Sequence, residues 1–196
     1  MMEFVLASNN KKKIKELYDI LSEKLPDIKI LSLADIGYTD EIIEDGKTFA
    51  ENAKIKASVP AGLGYIGIAD DSGLCVDHLN GEPGIYSARY SGAGDRANNI
   101  KLLENLKGVP FDGRTAHFTC AICCVFPDGR IIEAEGRAEG IILEEERGDG
   151  GFGYDPLFYF PALSKTFSEL TAEEKNKISH RANALKEFAE KIGELC

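Results

Sequence analysis

The chain has 196 residues, 43% of them hydrophobic and 29% charged, which is enough for one medium-sized domain with a full core. Its net charge of −10 excludes a general nucleic-acid binder, which needs a basic surface against phosphates, but leaves room for a local basic pocket. No apolar run approaches the roughly 20 residues that span a bilayer, and MMEFVLASNNKKK is a poor secretory signal, so a cytoplasmic protein without a membrane partner is expected.

Glu3 to Ala7 is a short apolar run that predicts a buried strand, with a turn at Ser8-Asn9-Asn10. A helix follows from Lys11, with Ile14, Leu17, Leu21 and Leu25 three or four apart and Pro26 ending it. A second strand is expected over Ile28 to Leu33. Thr48-Phe49-Ala50-Glu51 is a capping box opening a helix to about Val59. Tyr65 to Ala69 predicts another buried strand, ending in Asp70-Asp71-Ser72-Gly73. An irregular glycine-rich stretch from Gly81 to Gly94 leads into a helix from Asp95 to Leu106.

Thr115 to Phe126 and Arg130 to Ala138 are predicted strands joined by the hairpin signal Pro127-Asp128-Gly129, with Ile141 to Glu145 continuing the sheet. Gly148 to Pro156 is a second glycine-rich loop. A short helix starts at Thr171, and Ala182, Leu185, Phe188, Ala189 and Ile192 form the apolar face of a longer one. Helices and strands alternate early and a hairpin comes late, so an α/β fold with a mixed sheet is expected. Cys120 and Cys123 have CxxC spacing, but on a strand their side chains point to opposite faces. Together with Cys75, Cys124 and Cys196 they read as reduced, buried thiols.

Four segments carry chemistry. At Ser8-Asn9-Asn10-Lys11-Lys12-Lys13 a strand turns into a helix, and lysines in a first helical turn oppose the dipole unless a polyphosphate sits above them. Asp70-Asp71-Ser72-Gly73 places paired carboxylates where a sheet ends, an arrangement that suits magnesium, and Glu44-Asp45-Gly46 supplies a second candidate carboxylate. Gly148 to Pro156 concentrates glycines around Phe152 and Tyr154, which could stack on a base. Lys175 to Arg181 gathers hydrogen-bond donors at a helix start. No P-loop motif is present, and His78 and His117 lack any catalytic spacing.

Taken together, SNNKKK, EDGKTFAENA, ADDSGL, GEPGIYSARYSG, GGFGYDPLF and EKNKISHR resemble the inosine/xanthosine triphosphate pyrophosphatase family, in its dITP/XTP pyrophosphatase branch. The resemblance runs from about Val5 to Leu185. It implies an elongated mixed β-sheet flanked by helices, a single domain over 1–196 in two lobes around a central cleft, and a homodimer. It also implies hydrolysis of ITP, dITP and XTP to the monophosphate and pyrophosphate with Mg2+, removing deaminated purines from the nucleotide pool. Carried over by position, Ser8, Asn9, Asn10, Lys11, Lys12 and Lys13 bind the triphosphate, and Glu44 and Asp71 hold the magnesium. Asp71 is the proton acceptor and Ser72 a substrate contact. Phe152, Gly153, Tyr154, Asp155, Lys175, His180 and Arg181 hold the nucleotide and its base. Family members often carry two glutamates where this chain has Glu44-Asp45. A Maf-type nucleotide pyrophosphatase, with a similar fold and reaction on other bases, is the nearest alternative; SHR and GGFGYDP favour the purine branch.

Overall fold

The computed structural model describes residues 2–9, 11–23 and 25–194, and the side chains of residues 11, 12 and 16 are outside the description. The expected phosphate contacts Asn10, Lys11 and Lys12 therefore lie outside the described residues, except for the helical backbone at Lys11 and Lys12.

The elements in chain order are β1 (Met2–Leu6), α1 (Lys11–Leu21), β2 (Ile28–Ser32), α2 (Phe49–Gly62), β3 (Ile66–Val76) and α3 (Asp95–Asn105). There follow β4 (Thr115–Val125), β5 (Ile131–Ile142), β6 (Phe158–Phe160), β7 (Lys165–Thr166), α4 (Ala172–Ile178) and α5 (His180–Gly193). The strands form one seven-stranded sheet in the order β2-β1-β3-β4-β5-β6-β7. β1 pairs in parallel with β2 and β3, while β6 pairs antiparallel with β5 and β7, so the sheet is mixed, as the alternation of elements predicted.

Several boundaries differ from the sequence reading. α1 stops at Leu21, and Leu25 lies beyond it. β3 does not end at Ala69 but runs on to Val76, so Asp70 and Asp71 sit in mid-strand rather than at a sheet edge. The apolar alternation resumes at Leu74 and Val76, both fully buried, and the aspartates between find cations instead of a turn. β5 continues through Gly140 without a break: a Cβ there would lie 2.5 Å from the Phe158 ring, so this glycine answers a close packing contact. The short strands β6 and β7 had no distinct sequence signal.

By its internal contacts the chain divides into two compact units: residues 1–71, 120–136 and 181–196, and residues 72–119 with 137–180. In the first unit, strand alternation sorts the core onto two faces. Phe4, Leu6, Ile68, Cys120, Ile122 and Cys124 pack with Leu17 and Leu21 of α1 and with Leu185, Phe188 and Ile192 of α5. Val5, Ala69, Ala121, Cys123 and Val125 face α2, whose Ala53 and Ala57 are fully buried. Small residues let α2 come close: a Cβ on Gly67 would stand 2.0 Å from the Ala57 carbonyl oxygen. The CxxC cysteines thus occupy opposite faces, and burial pushes the Cys123 thiol up to about 11, which makes it a poor nucleophile at neutral pH.

The second unit has its own core around Leu74, Leu102, Leu106, Leu157, Phe118, Phe158 and Phe167, with the Phe118 and Phe158 ring centroids 4.7 Å apart. Each such buried leucine or phenylalanine contributes roughly 1.5–3 kcal/mol relative to its exposed state.

Candidate active site

The first unit holds two charged clusters, one on each face of β3. Asp70 shares the parity of Ile68 and so faces α1 and α5; Asp71 shares that of Ala69 and faces α2. On the first face, Lys13 donates to both carboxylate oxygens of Asp70 at 3.0 and 2.9 Å, and the Arg181 guanidinium donates to Oδ2 at 2.8 Å. Burial of Asp70 would raise its carboxyl, but the Lys13 ammonium and Arg181 guanidinium together hold it far below the usual carboxylate range. Asp70 is therefore an anionic hub that fixes two cations.

On the second face, Lys56 of α2 lies between Asp71 Oδ1, at 3.1 Å, and Glu44 Oε2, at 2.8 Å. Asn52, one helical turn earlier, donates from Nδ2 to Asp71 Oδ2 at 3.2 Å, while its Oδ1 accepts from the Gly46 backbone at 2.9 Å. Asn52 thereby ties the acidic loop to the strand. Gly46 is required there, since a Cβ would meet Asn52 Oδ1 at 2.6 Å. The helix start that sets this register has the predicted Thr48 cap, whose Oγ1 accepts from Glu51 N–H at 3.1 Å, but the Glu51 carboxylate departs from a capping box by reaching past the cap to Lys47 N–H at 2.6 Å. Burial pushes the Asp71 carboxyl up; Lys56 and Asn52 pull against that, and the Glu44 charge adds to it. Burial also opposes the charge on Lys56, but Asp71 and Glu44 outweigh it and its ammonium is held above the ordinary value.

Asn9 Oδ1 accepts from the Ala34 backbone at 3.0 Å, pinning the turn before α1, and Ser8 is half-buried beside it. Among the expected phosphate contacts, the Lys13 side chain is tied to the acidic strand through Asp70.

The second unit contains the glycine-rich loop. Lys175 Nζ meets Asp155 Oδ2 at 2.5 Å and stands over the Phe152 ring at 4.6 Å from its centroid. Asp155 Oδ2 also accepts from Phe152 N–H at 3.0 Å, and Gly151, at φ +77°, has no room for a Cβ, which would fall 2.3 Å from that oxygen. Phe152 is 64% exposed, but Tyr154 does not offer a base the second stacking face that the sequence suggested. Tyr154 is buried in the core and its hydroxyl donates to the Ser87 carbonyl at 2.8 Å, because an aromatic ring next to Leu157 and Phe158 gains more from burial than from solvent. Gly153 is held at both ends of its residue: its N–H donates to Asp95 and its carbonyl accepts from Asn99. His180 lies flat against Phe118, with centroids 4.8 Å apart and planes 16° apart. The hydroxyl of Ser72, half-buried, has no hydrogen-bond partner among the described residues.

Sequence reasoning grouped Arg181 with the base-binding residues, whereas its guanidinium joins Lys13 on Asp70. It passed over Lys56, Asn52, Asp95 and Asn99. The signal for Lys56 and Asn52 was available: two polar residues at i and i+4 share a helix face with the apolar Phe49, Val59 and Pro60.

These features define an α/β protein whose polar centre is a mid-sheet strand charged on both faces, accompanied by a glycine-rich loop with an exposed ring. The chain belongs to the Ham1 family, which it matches over residues 4–191. It is 52% identical to a dITP/XTP pyrophosphatase of Desulforamulus reducens, covering 99% of this chain and 97% of that one. A dITP/XTP pyrophosphatase of Bacillus subtilis is 50% identical, covering 96% of each. The solved structure of the Staphylococcus aureus Ham1 protein superposes with a TM-score of 0.91 at 41% identity, covering 99% of this chain and 100% of that one.

Proposed function

We propose that this chain is a magnesium-dependent pyrophosphatase of non-standard purine nucleoside triphosphates, hydrolysing dITP, XTP and ITP to the monophosphate and pyrophosphate. The observation that carries the reading is the convergence of Glu44 and Asp71 on one positive charge, at 2.8 and 3.1 Å, on the strand whose other face fixes Lys13 and Arg181. The names of the relatives point the same way.

The donor set fits magnesium. Among the described residues no three histidine, cysteine or acidic side chains gather into a protein cage. Magnesium prefers one or two carboxylates completed by phosphate oxygens and water, and Glu44 with Asp71 is such a pair. Glu44 is favoured over Asp45 because it is the half-buried one of the two and already contacts the shared cation. When bound, the ion neutralises phosphate charge and orients the phosphates for in-line displacement.

Asp71 takes the proton from the attacking water, and its burial makes the carboxylate a stronger base. Water attacks the α-phosphorus and the bond to the β-phosphate's bridging oxygen breaks. Lys13 and Arg181, oriented by Asp70, with the lysines before it, stabilise the departing pyrophosphate. Phe152 offers its open face to the purine, and Lys175, His180 and backbone donors of the glycine-rich loop select it. Hypoxanthine and xanthine carry an acceptor oxygen at C6 where adenine carries an amine. A donor left facing a donor costs roughly 1–3 kcal/mol per contact. The homodimer belongs to the proposal on the family resemblance, and cytoplasmic location on the reduced state of Cys75, Cys120, Cys123 and Cys124, none of them in a disulfide.

A panel of dITP, XTP, ATP, GTP, dTTP and UTP with Mg2+, scored for pyrophosphate against orthophosphate, tests this reading. Pyrophosphate from dITP and XTP is expected. A preference for dTTP or UTP would move the chain to Maf-like specificity, and orthophosphate would refute the bond assignment.

A further inference from the structure

Lys56 is a residue that no step above uses, and its environment is unusual. Its side chain is 12% exposed, and its ammonium bridges the same two carboxylates that the metal requires. Its backbone is fixed by the close packing of Ala57 on Gly67, so the ammonium can change partners only by rotating the side chain about its own bonds. Asn52 holds Asp71 through Oδ2, which leaves Oδ1 as the oxygen that faces the shared cation. The oxygens Lys56 occupies are thus the ones a divalent ion would take.

We propose that Lys56 is the resident counter-ion of the Glu44–Asp71 pair, keeping the two carboxylates together in the metal-free protein and competing with the divalent metal for them. This rests on the magnesium reading above, but concerns binding and not turnover. Two carboxylates brought together in a half-buried site repel, and one ammonium between them removes that repulsion. A divalent ion entering the site must either displace the ammonium or sit beside a like charge, and either route weakens its binding.

The test is Mn2+ affinity of the nucleotide-free protein, measured by electron paramagnetic resonance, in wild type, Lys56→Met and Lys56→Arg. Methionine keeps a long apolar stem without the charge, and arginine keeps the charge. Lys56→Met is expected to bind Mn2+ at least tenfold more tightly than wild type, and Lys56→Arg to remain as weak as wild type. Equal affinity in wild type and Lys56→Met, or weaker binding by the methionine variant, overturns the proposal, for then the ammonium supports the site or ignores it.

If Lys56→Met fails to fold, wild type decides alone. With 13C-labelled lysine side chains, the Lys56 ε signal, assigned with Lys56→Arg, is expected to shift along the Mg2+ binding curve. A signal that stays fixed through saturation overturns the proposal. Failure of the functional reading would look different: wild type would release no pyrophosphate from dITP, whatever its metal affinity.

Discussion

Asp70 and Asp71 are chain neighbours of the same chemistry, yet strand alternation gives them opposite surroundings. Asp70 lies with α1 and α5, nearly enclosed, and two cations drive its carboxyl strongly down. Asp71 lies with α2, beside a second carboxylate, and burial drives its carboxyl up. One residue is locked as an anion that positions others; the other has a carboxyl raised by burial, as the proton acceptor of the proposed reaction requires. The difference comes from the period-2 geometry of β3 and from which helix covers which face, and it turns a simple acidic pair into two separate devices.

The sharpest way to break this contrast is substitution of each in turn. Asp71→Asn removes the proposed base and proposed metal ligand, and is expected to lower kcat for dITP by about 10²–10⁴-fold while the protein still folds. A kcat within a few-fold of wild type would take Asp71 out of that role. Asp70→Asn is expected to act first on stability, because it strands the Lys13 and Arg181 charges. A loss of about 3 kcal/mol in urea unfolding is expected, at the low end for breaking a buried ion pair since Lys13 is part-exposed.

That loss has a pH signature. Asp70 is depressed in the folded state, so its contribution is fully present above the unfolded carboxylate value, about 3.9, and disappears as pH falls toward its folded value. The stability gap between wild type and Asp70→Asn should hold steady from pH 5 to 8 and narrow below pH 4. A gap that closes already near pH 6 would contradict the ion-pair explanation.

Two smaller effects sharpen the comparison. Asn52→Ala frees Asp71 and the acidic loop from each other and is expected to weaken the apparent Mg2+ affinity about tenfold, in the range seen when residues behind metal ligands are removed. Phe152→Ala, in the other unit, is expected to raise KM for dITP about fivefold, as loss of one base–aromatic stack would, with kcat and the urea midpoint almost unchanged. A KM equal to wild type would leave the exposed ring without a role.

Much of this was legible in the sequence because it is local. The Thr48 cap of α2 follows from the residue at the helix start, and the helical spacing of α5 and the opposite faces of the CxxC cysteines follow from periodicity. The segments around Lys13, Glu44, Asp71 and Asp155 stood out because glycines or unbalanced charges there lack a local explanation. What escaped was set by distant packing. A pattern reader stops β3 at Asp70, since nothing nearby signals that Lys13 and Arg181, far along the chain, make a charge acceptable in mid-strand. Tyr154 looked like part of an exposed loop until its hydroxyl found the Ser87 carbonyl. Lys56 shares a helix face with Asn52 in the sequence, but only the fold brings Glu44 and Asp71 to it.

Hydrolysis of dITP in 18O-labelled water, with the products resolved by mass spectrometry, probes the attack itself. Water delivered by Asp71 to the α-phosphorus leaves one 18O in dIMP and none in pyrophosphate. Label in the pyrophosphate, or in orthophosphate beside dIDP, would mean that the polyphosphate lies in the site in another register and that Asp71 does not face the α-phosphorus.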